Sequence, residues 1–408
     1  MESEEEPLVS DSDPAESEAE AAAPPALAAA RNHLVVCGAA MAASGTALVV
    51  ALPMAAAPAS AHLPCPFLLA TAATAACLCG LALGLPRKGH RRGSLGSVAR
   101  AGAFQGAAAA AVALAVQPGR LLCHLQVPLM GVGLAFALAF CFLVCRKVVS
   151  LRRLLSGLLV ILGVFVSVDL QLCNEFRCLG NQVTPPKKSA WLSNGGHLFW
   201  AAVYVLAIGL WAFSCALLEN FFLLTKAKPS SLLVSTVETW TAAPDLLPRG
   251  APEEAPWRAS IDVAAALATA QLAALVLFAI VSALAAVLLK DMSTWYWLLS
   301  LCWCLWQEAT CNWSGWILSA SYAPFLYTTC HFLRTSESAL FTTATAALAL
   351  PLSGIWWSLF RADEQGHLEA SPSLSGDLIS ALLGLPVVCA GLVLFVRLHM
   401  AELRKRVL

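Results

Sequence analysis

"TTATAALALPLSGIWW", Thr342 to Trp357, is the stretch on which the reading of this chain turns. It carries no charge, and it lies in an apolar run of the roughly 20 residues needed to cross hydrocarbon. Yet it holds three threonines, a serine and a proline. Threonine and serine hydroxyls can bond carbonyls of their own helix one turn back. Proline removes one backbone donor and frees a carbonyl four residues upstream. In a bilayer such a freed group is tolerated only where it meets protein or a watery cavity. The stretch is therefore expected to be a cavity-facing, bendable membrane helix, with a kinked structural helix as the alternative.

The whole chain agrees with a membrane setting. Of 408 residues, 59% are hydrophobic and only 12% are charged, about half the charge of an ordinary soluble domain. The expected class is all-α, a polytopic membrane protein, because a lipid-exposed backbone must satisfy its own hydrogen bonds. Nine acids lie between Glu2 and Glu20, with no Lys or Arg before Arg31. That start lacks the basic and apolar regions of a cleavable signal. Residues 1–33 read instead as a disordered acidic cytosolic tail.

About ten spans are expected, near 34–57, 63–85, 97–117, 121–145, 153–171, 195–225, 259–289, 313–333, 337–360 and 374–399. With both termini in the cytosol, 19 of the 25 Lys and Arg fall on cytosolic segments, a strong positive-inside bias. "STWYWLLSLCWCLWQEATCNWSGW", Ser293 to Trp316, is the difficult piece. Its four Trp and one Tyr before Gln307 suit an exoplasmic re-entrant or in-plane helix at the lipid–water boundary. An eleventh span is the alternative, and it lowers the cytosolic count. The linker 226–258 splits the spans into five plus five. An odd number per half inverts the second half relative to the first. The domains are then a first five-helix repeat at 34–171, an exoplasmic loop at 172–194 and a second repeat at 195–400. The second repeat contains the linker 226–258 and the exoplasmic aromatic segment 293–312. A basic cytosolic tail follows at 401–408.

A fourth span running directly into "CRKVVSLRRLLSGLLVILGVFV", Cys145 to Val166, resembles the drug/metabolite transporter superfamily. A Cys-bearing segment after span seven, followed by "SALFTTATAALALPLSGIWW", looks like its chloroquine-resistance-transporter branch, with the nucleotide-sugar transporters as neighbour. The resemblance covers residues 34–400 in architecture. It implies two inverted five-helix repeats around a midplane cavity, lined by spans one to four and six to nine and braced by spans five and ten. It also implies a secondary transporter working by alternating access.

Polar groups inside hydrocarbon are expensive and are therefore the first candidates. Glu219, in "CALLENFFLL", reads either as a proton-coupling carboxylate or as an acid reaching for cytosolic headgroups. His124 and His197 are further proton-coupling candidates, with interfacial histidine as the alternative. Thr342, Thr345, Ser353, Gln126 and Tyr322 are the substrate-binding candidates. Glu308 reads as an interfacial acid, and Glu337, at the start of span nine, as an N-terminal helix acid favouring the dipole. "GLALG" and "GAFQG" place Gly80 with Gly84, and Gly102 with Gly106, at a helix-packing period. Gln105, inside the second motif, is expected to bond across that contact. Cys173, Cys178, Cys302, Cys304 and Cys311 fall on exoplasmic segments, where an oxidising lumen permits disulfides. Asn312, in Asn-Trp-Ser, is a glycosylation candidate.

No Walker loop, HExxH or GxSxG occurs, so no enzyme, no cofactor and no metal site are expected. No Lys or Arg falls deep in a span, which disfavours a diphosphate cargo. The expected function is movement of a small neutral or cationic organic solute across an endomembrane, with proton coupling an open option. The alternatives are a Golgi nucleotide-sugar exchanger and a non-transporting lipid-modifying enzyme or scaffold. The expected partners are the solute and the lipid bilayer, with a homodimer left open and nucleic acid excluded. "EEEPLV" resembles an acidic dileucine signal, which points to a lysosome- or vacuole-like membrane, with Golgi second. Changing Leu8 and Val9 to Ala should shift the protein toward the cell surface. An unchanged distribution by surface labelling removes that signal.

Overall fold

The computed structural model describes residues 25–56, 65–84, 95–116, 120–121, 129–146, 149–167, 190–226, 256–288, 313–362, 368–372 and 376–407. These residues are overwhelmingly helical. The helices are α1 (Pro25–Ala56), α2 (Cys65–Gly84), α3 (Leu95–Ala115), α4 (Gly133–Leu143), α5 (Leu151–Ser167) and α6 (Ala190–Lys226). Then follow α7 (Pro256–Leu288), α8 (Trp313–Ser336), α9 (Ala339–Ala346), α10 (Ala349–Leu359) and α11 (Gly376–Val407). Among them, six helical stretches are long and apolar enough to cross a membrane, and α9 with α10 counts as one such stretch. Two shorter apolar helices lie at Pro66–Leu81 and Leu129–Leu143. Unforeseen in the sequence is a two-stranded antiparallel ladder, β1 (Phe360–Ala362) with β2 (Leu368–Ala370), in which Arg361 pairs Glu369.

The outer faces are apolar at helical spacing. Leu151, Leu155, Leu158, Leu162 and Phe165 form an exposed stripe on α5. Leu272, Val276, Ile280, Leu284 and Val287 do the same on α7. Contiguous exposed apolar surface of this extent has no place in water. It is the lipid-facing side of a multi-pass membrane protein.

Inside, small residues set the helix spacing. A Cβ added at Gly102 would stand 2.0 Å from the Ala270 carbonyl oxygen, and one at Gly106 would stand 2.2 Å from that of Ala274. The α3 and α7 backbones therefore touch, running parallel. Gln271 donates across this contact to the Oε1 of Gln105 at 3.1 Å, as "GAFQG" suggested. Gly80 of the other motif is different, because a Cβ there meets nothing within 4 Å. α5 and α11 touch in the same way but antiparallel. Cβ atoms at Gly384 and Gly163 would fall 2.4 Å from the Gly163 oxygen and 2.6 Å from the Val388 nitrogen. Arg153 and Glu402 form an ion pair at one end of that seam.

The helix contacts come in matched pairs. α3 with α6 runs antiparallel, through Ala101 near Leu218 and Ala115 near Tyr204. So does α8 with α1, through Phe332 at Gly38 and Phe325 at Gly45. α3 with α7 is parallel, and so is α2 with α8, through Ala70 near Leu318 and Leu78 near Cys330. α4 packs parallel on α6, with Gly133 on Ile208 and Phe140 on Phe213. The α9–α10 pair packs parallel on α1, with Thr345 at Gly38 and Ala349 at Gly45. α2 and α7 cross antiparallel, with Leu68 near Phe278 and Leu78 near Leu267.

The stretch first quoted is two helices rather than one kinked helix. The chain breaks at Ala347–Leu348. Pro351 has no N–H for the Ala347 carbonyl, and Leu350 N supplies one in a tighter turn at 3.1 Å. An 18-residue window within Ala339–Leu359 is 67% buried, against 28% for the one within Leu378–Lys405. The broken helix is thus central and α11 peripheral.

The backbone contact at Gly102 generates a paired test. Gly102→Ala should lower the thermal midpoint in detergent, since overpacking costs about 1–3 kcal/mol. Gly80→Ala should leave it unchanged. Equal midpoints for all three proteins would show that α3 and α7 are not in backbone contact.

Candidate functional site

A cavity of about 200 Å³ lies in the bundle. Its walls come from α1, α2, α3, the start of α4, α6, α8 and the break between α9 and α10. None of the residues described along its wall belongs to α5, α7 or α11. Span seven was expected in the wall as well. It stands behind α3 instead, where Gln271 bonds the lining residue Gln105. On each long helix the lining residues occupy one portion: Gly45 to Leu52 on α1, Phe67 to Thr71 on α2, Gln105 to Val112 on α3. On α8 they run from Leu318 to Phe325. The far end of the bundle is filled by Leu78, Ala101, Leu218, Phe222, Leu267 and Leu333.

The wall is apolar apart from a few groups. Thr71, Gln105, Trp211, Tyr322 and Thr343 bring polar atoms. Gln105 and Gln271 are paired, and the Tyr322 phenol interacts with both amides. Gln271 is fully buried, and its Oε1 has no hydrogen-bond partner. An orphaned amide oxygen in low dielectric costs roughly 1–3 kcal/mol. Trp211 stacks on Phe325 at 6.2 Å, which places two aromatic rings in the wall. Among the described lining residues none is charged.

Tyr322 lines the cavity. Thr342, Thr345 and Ser353 do not line the cavity. Thr342 donates to the Ser338 carbonyl, Thr345 to that of Phe341 and Ser353 to that of Leu350. All three are buried, so their hydroxyls serve their own helix. Thr343, between the first two, faces the cavity through its side chain while donating to the Ala339 carbonyl. The sequence points to Gln105 only as a packing residue and to neither Gln271 nor Trp211. An amide in each of two apolar spans was the available signal.

Glu219 neither lines the cavity nor reaches headgroups. It is 1% exposed. Its Oε2 accepts from the backbone N–H of Ala339 at 2.7 Å, the first residue of α9. The acid that meets this helix's dipole is therefore carried in from α6, whereas Glu337 takes a positive φ of 50° just before it. Ser338 completes the cap by accepting from Phe341 N at 3.3 Å. An acid at a helix N-terminus gives up to about 2 kcal/mol where it is partly buried.

His197 donates through Nδ1 to the Arg120 carbonyl at 2.6 Å, and the Arg120 guanidinium sits 4.2 Å over the Trp200 ring. This cluster too lies outside the cavity wall. His124, Gln126, Glu308, Asn312, Cys173, Cys178, Cys302, Cys304 and Cys311 lie outside the described residues. None of Cys37, Cys77, Cys79, Cys141, Cys145, Cys215, Cys330 and Cys389 is in a disulfide.

Comparison with known proteins returns no matching family model and no matching characterised protein. The site therefore stands on its own chemistry.

The capping role of Glu219 predicts an asymmetry between two substitutions. Glu219→Ala should cost about 1–2 kcal/mol, the range for a lost cap, read as a lowered thermal midpoint. Glu219→Gln keeps an oxygen for the Ala339 N–H and should retain most of the stability. Equal loss in both would assign the effect to charge rather than to the hydrogen bond.

Proposed function

We propose that the chain is a ten-span secondary transporter. Two inverted five-helix halves surround the cavity and expose it alternately to either side of the membrane. The observation that carries this reading is the matching of helix contacts. Replacing each helix by the one five places on exchanges α3–α6 with α8–α1, α3–α7 with α8–α2, and α4–α6 with α9/α10–α1. Relative directions survive the exchange in every pair. α2–α7 and α5–α11 map onto themselves, both antiparallel, as inversion requires. α7 and α8 also run in opposite directions. That supports a chain that returns to the face it left, as a re-entrant or in-plane segment at 293–312 would.

The cargo chemistry follows from the wall. Apolar and aromatic walls with one amide and a phenol suit a small neutral or monocationic organic solute, since a cation over Trp211 or Tyr322 gains about 0.5–2 kcal/mol. A diphosphate would find no cation among these residues, which weighs against the nucleotide-sugar alternative. The cavity is smaller than the roughly 300–1,000 Å³ of ordinary ligand pockets, which favours a small cargo.

Glu219 is the proposed coupling group. It ties α6 to the N-terminus of α9, whose other end is the break in the cavity wall. Neutralising it would leave an oxygen for the Ala339 N–H but remove the charge–dipole attraction, loosening α9 about the break without undoing the cap. The acidic endomembrane location remains part of the proposal and rests on the motif at Leu8. No enzymatic activity is proposed.

Proteoliposome uptake tests the reading. A panel of small amines, neutral amino acids and nucleotide sugars is offered with and without a pH gradient. Amine or amino-acid uptake driven by the gradient is expected. Tyr322→Phe and Trp211→Ala should raise KM several-fold, and Thr342→Val with Thr345→Val should not. Glu219→Gln should flatten the pH dependence. Uptake of nucleotide sugars alone would overturn the cargo class, and no uptake of any class would overturn the transporter reading.

A further inference from the structure

We propose that His33, Cys37 and His331 form a binding site for a zinc-class or cuprous ion at the end of the bundle opposite the cavity. His33 and Cys37 are one turn apart on α1. His331 stands on α8, brought to them by the antiparallel α1–α8 contact that puts Phe332 on Gly38. One ligand atom from each residue lies within 4.8 Å of the other two. The Cys37 sulfur is 3.6 Å from Nδ1 of His331 and 3.8 Å from Nε2 of His33. With metal–sulfur and metal–nitrogen bonds of about 2.3 and 2.0 Å, a tetrahedral ion sets its S and N ligands about 3.5 Å apart. The geometry is thus already near that of a loaded site, and small rotations of the three side chains close it.

The donor set selects the ion. One thiolate with two imidazoles favours Zn2+ or Cu+ and disfavours Mg2+ and Ca2+. Three protein ligands leave a fourth position for water or another group. His33 is exposed, and Cys37 and His331 are half-buried, so an ion reaches them from solvent. Binding releases the Cys37 thiol proton and water from the ion, so affinity rises with pH. The bound ion would tie α1 to α8 at the closed end, next to the α9 cap that Glu219 provides. This inference does not depend on the transporter reading. The sequence concealed it because His331 lies 294 residues from Cys37, although the His-x-x-x-Cys spacing on one helix was visible.

The test uses the purified full-length protein in detergent with Co2+ and Zn2+ as probes. One equivalent of Co2+ should bind and give a thiolate-to-cobalt charge-transfer band, displaced by Zn2+ and not by Mg2+. Cys37→Ser should abolish the band and weaken Zn2+ binding at least tenfold, with His331→Ala weakening it comparably. Cys37→His should restore Zn2+ binding without the band, which separates a lost ligand from a lost fold. A wild-type protein with no band, or a Cys37→Ser protein with an unchanged one, overturns the proposal. In either case the three side chains are a thiol packed between two imidazoles.

Discussion

A helix interrupted inside a membrane is the constraint on which the rest of this structure depends. The break at Ala347–Leu348 disturbs the hydrogen-bond ladder where water is scarce, and every backbone group there still needs a partner. Three devices meet that need. Tighter turns join Leu348 N to the Thr345 carbonyl and Leu350 N to that of Ala347. Thr342, Thr343, Thr345 and Ser353 donate to carbonyls of their own segment. Ser338 and Glu219 satisfy N–H groups at the start of α9. The hydroxyls that first drew notice are thus part of how the break is tolerated.

The break also fixes where the other helices stand. α9 and α10 must be enclosed, and α1, α4, α6, α8 and α11 supply the enclosure. α1 lies close to this pair at Gly38 and Gly45, where an added Cβ would stand 3.5 Å from Thr345 and 3.2 Å from Ala349. α5 and α11 meet through glycines and close the opposite side. What this leaves unfilled is the cavity, with the break in one wall and Gln105 and Tyr322 in another. Movement of α9 and α10 would change the shape of that space directly.

Much of this was legible in the chain. Composition gave the class, because a 12% charge content cannot coat a soluble surface of this size. "GAFQG" gave a true backbone contact and its bonded glutamine. The identical glycine spacing in "GLALG" did not, since the motif states that a close approach is possible and not that a partner is there. Thr342, Thr345 and Ser353 were read as cargo-facing from their polarity. A side chain's face depends on the local break, and a shift of one residue moves a helical side chain by about 100°. Thr343 therefore took the place assigned to its neighbours. Glu219 stands out in the sequence as an acid in an apolar span, and it is buried. Its partner, the Ala339 N–H, is 120 residues away, and no local pattern announces such a pair.

The central claim is that the second half repeats the first upside down. It is tested most directly by cross-linking α2 to α7 in native membranes, in a chain cleared of its own cysteines. Cysteines at Leu68 with Phe278, and at Leu78 with Leu267, should cross-link efficiently. The crossed combination of Leu68 with Leu267 should not. That result places equivalent helices of the two halves antiparallel at their contact. Efficient cross-linking of the crossed combination, with loss of the first two, would make α2 and α7 parallel and contradict the inverted arrangement.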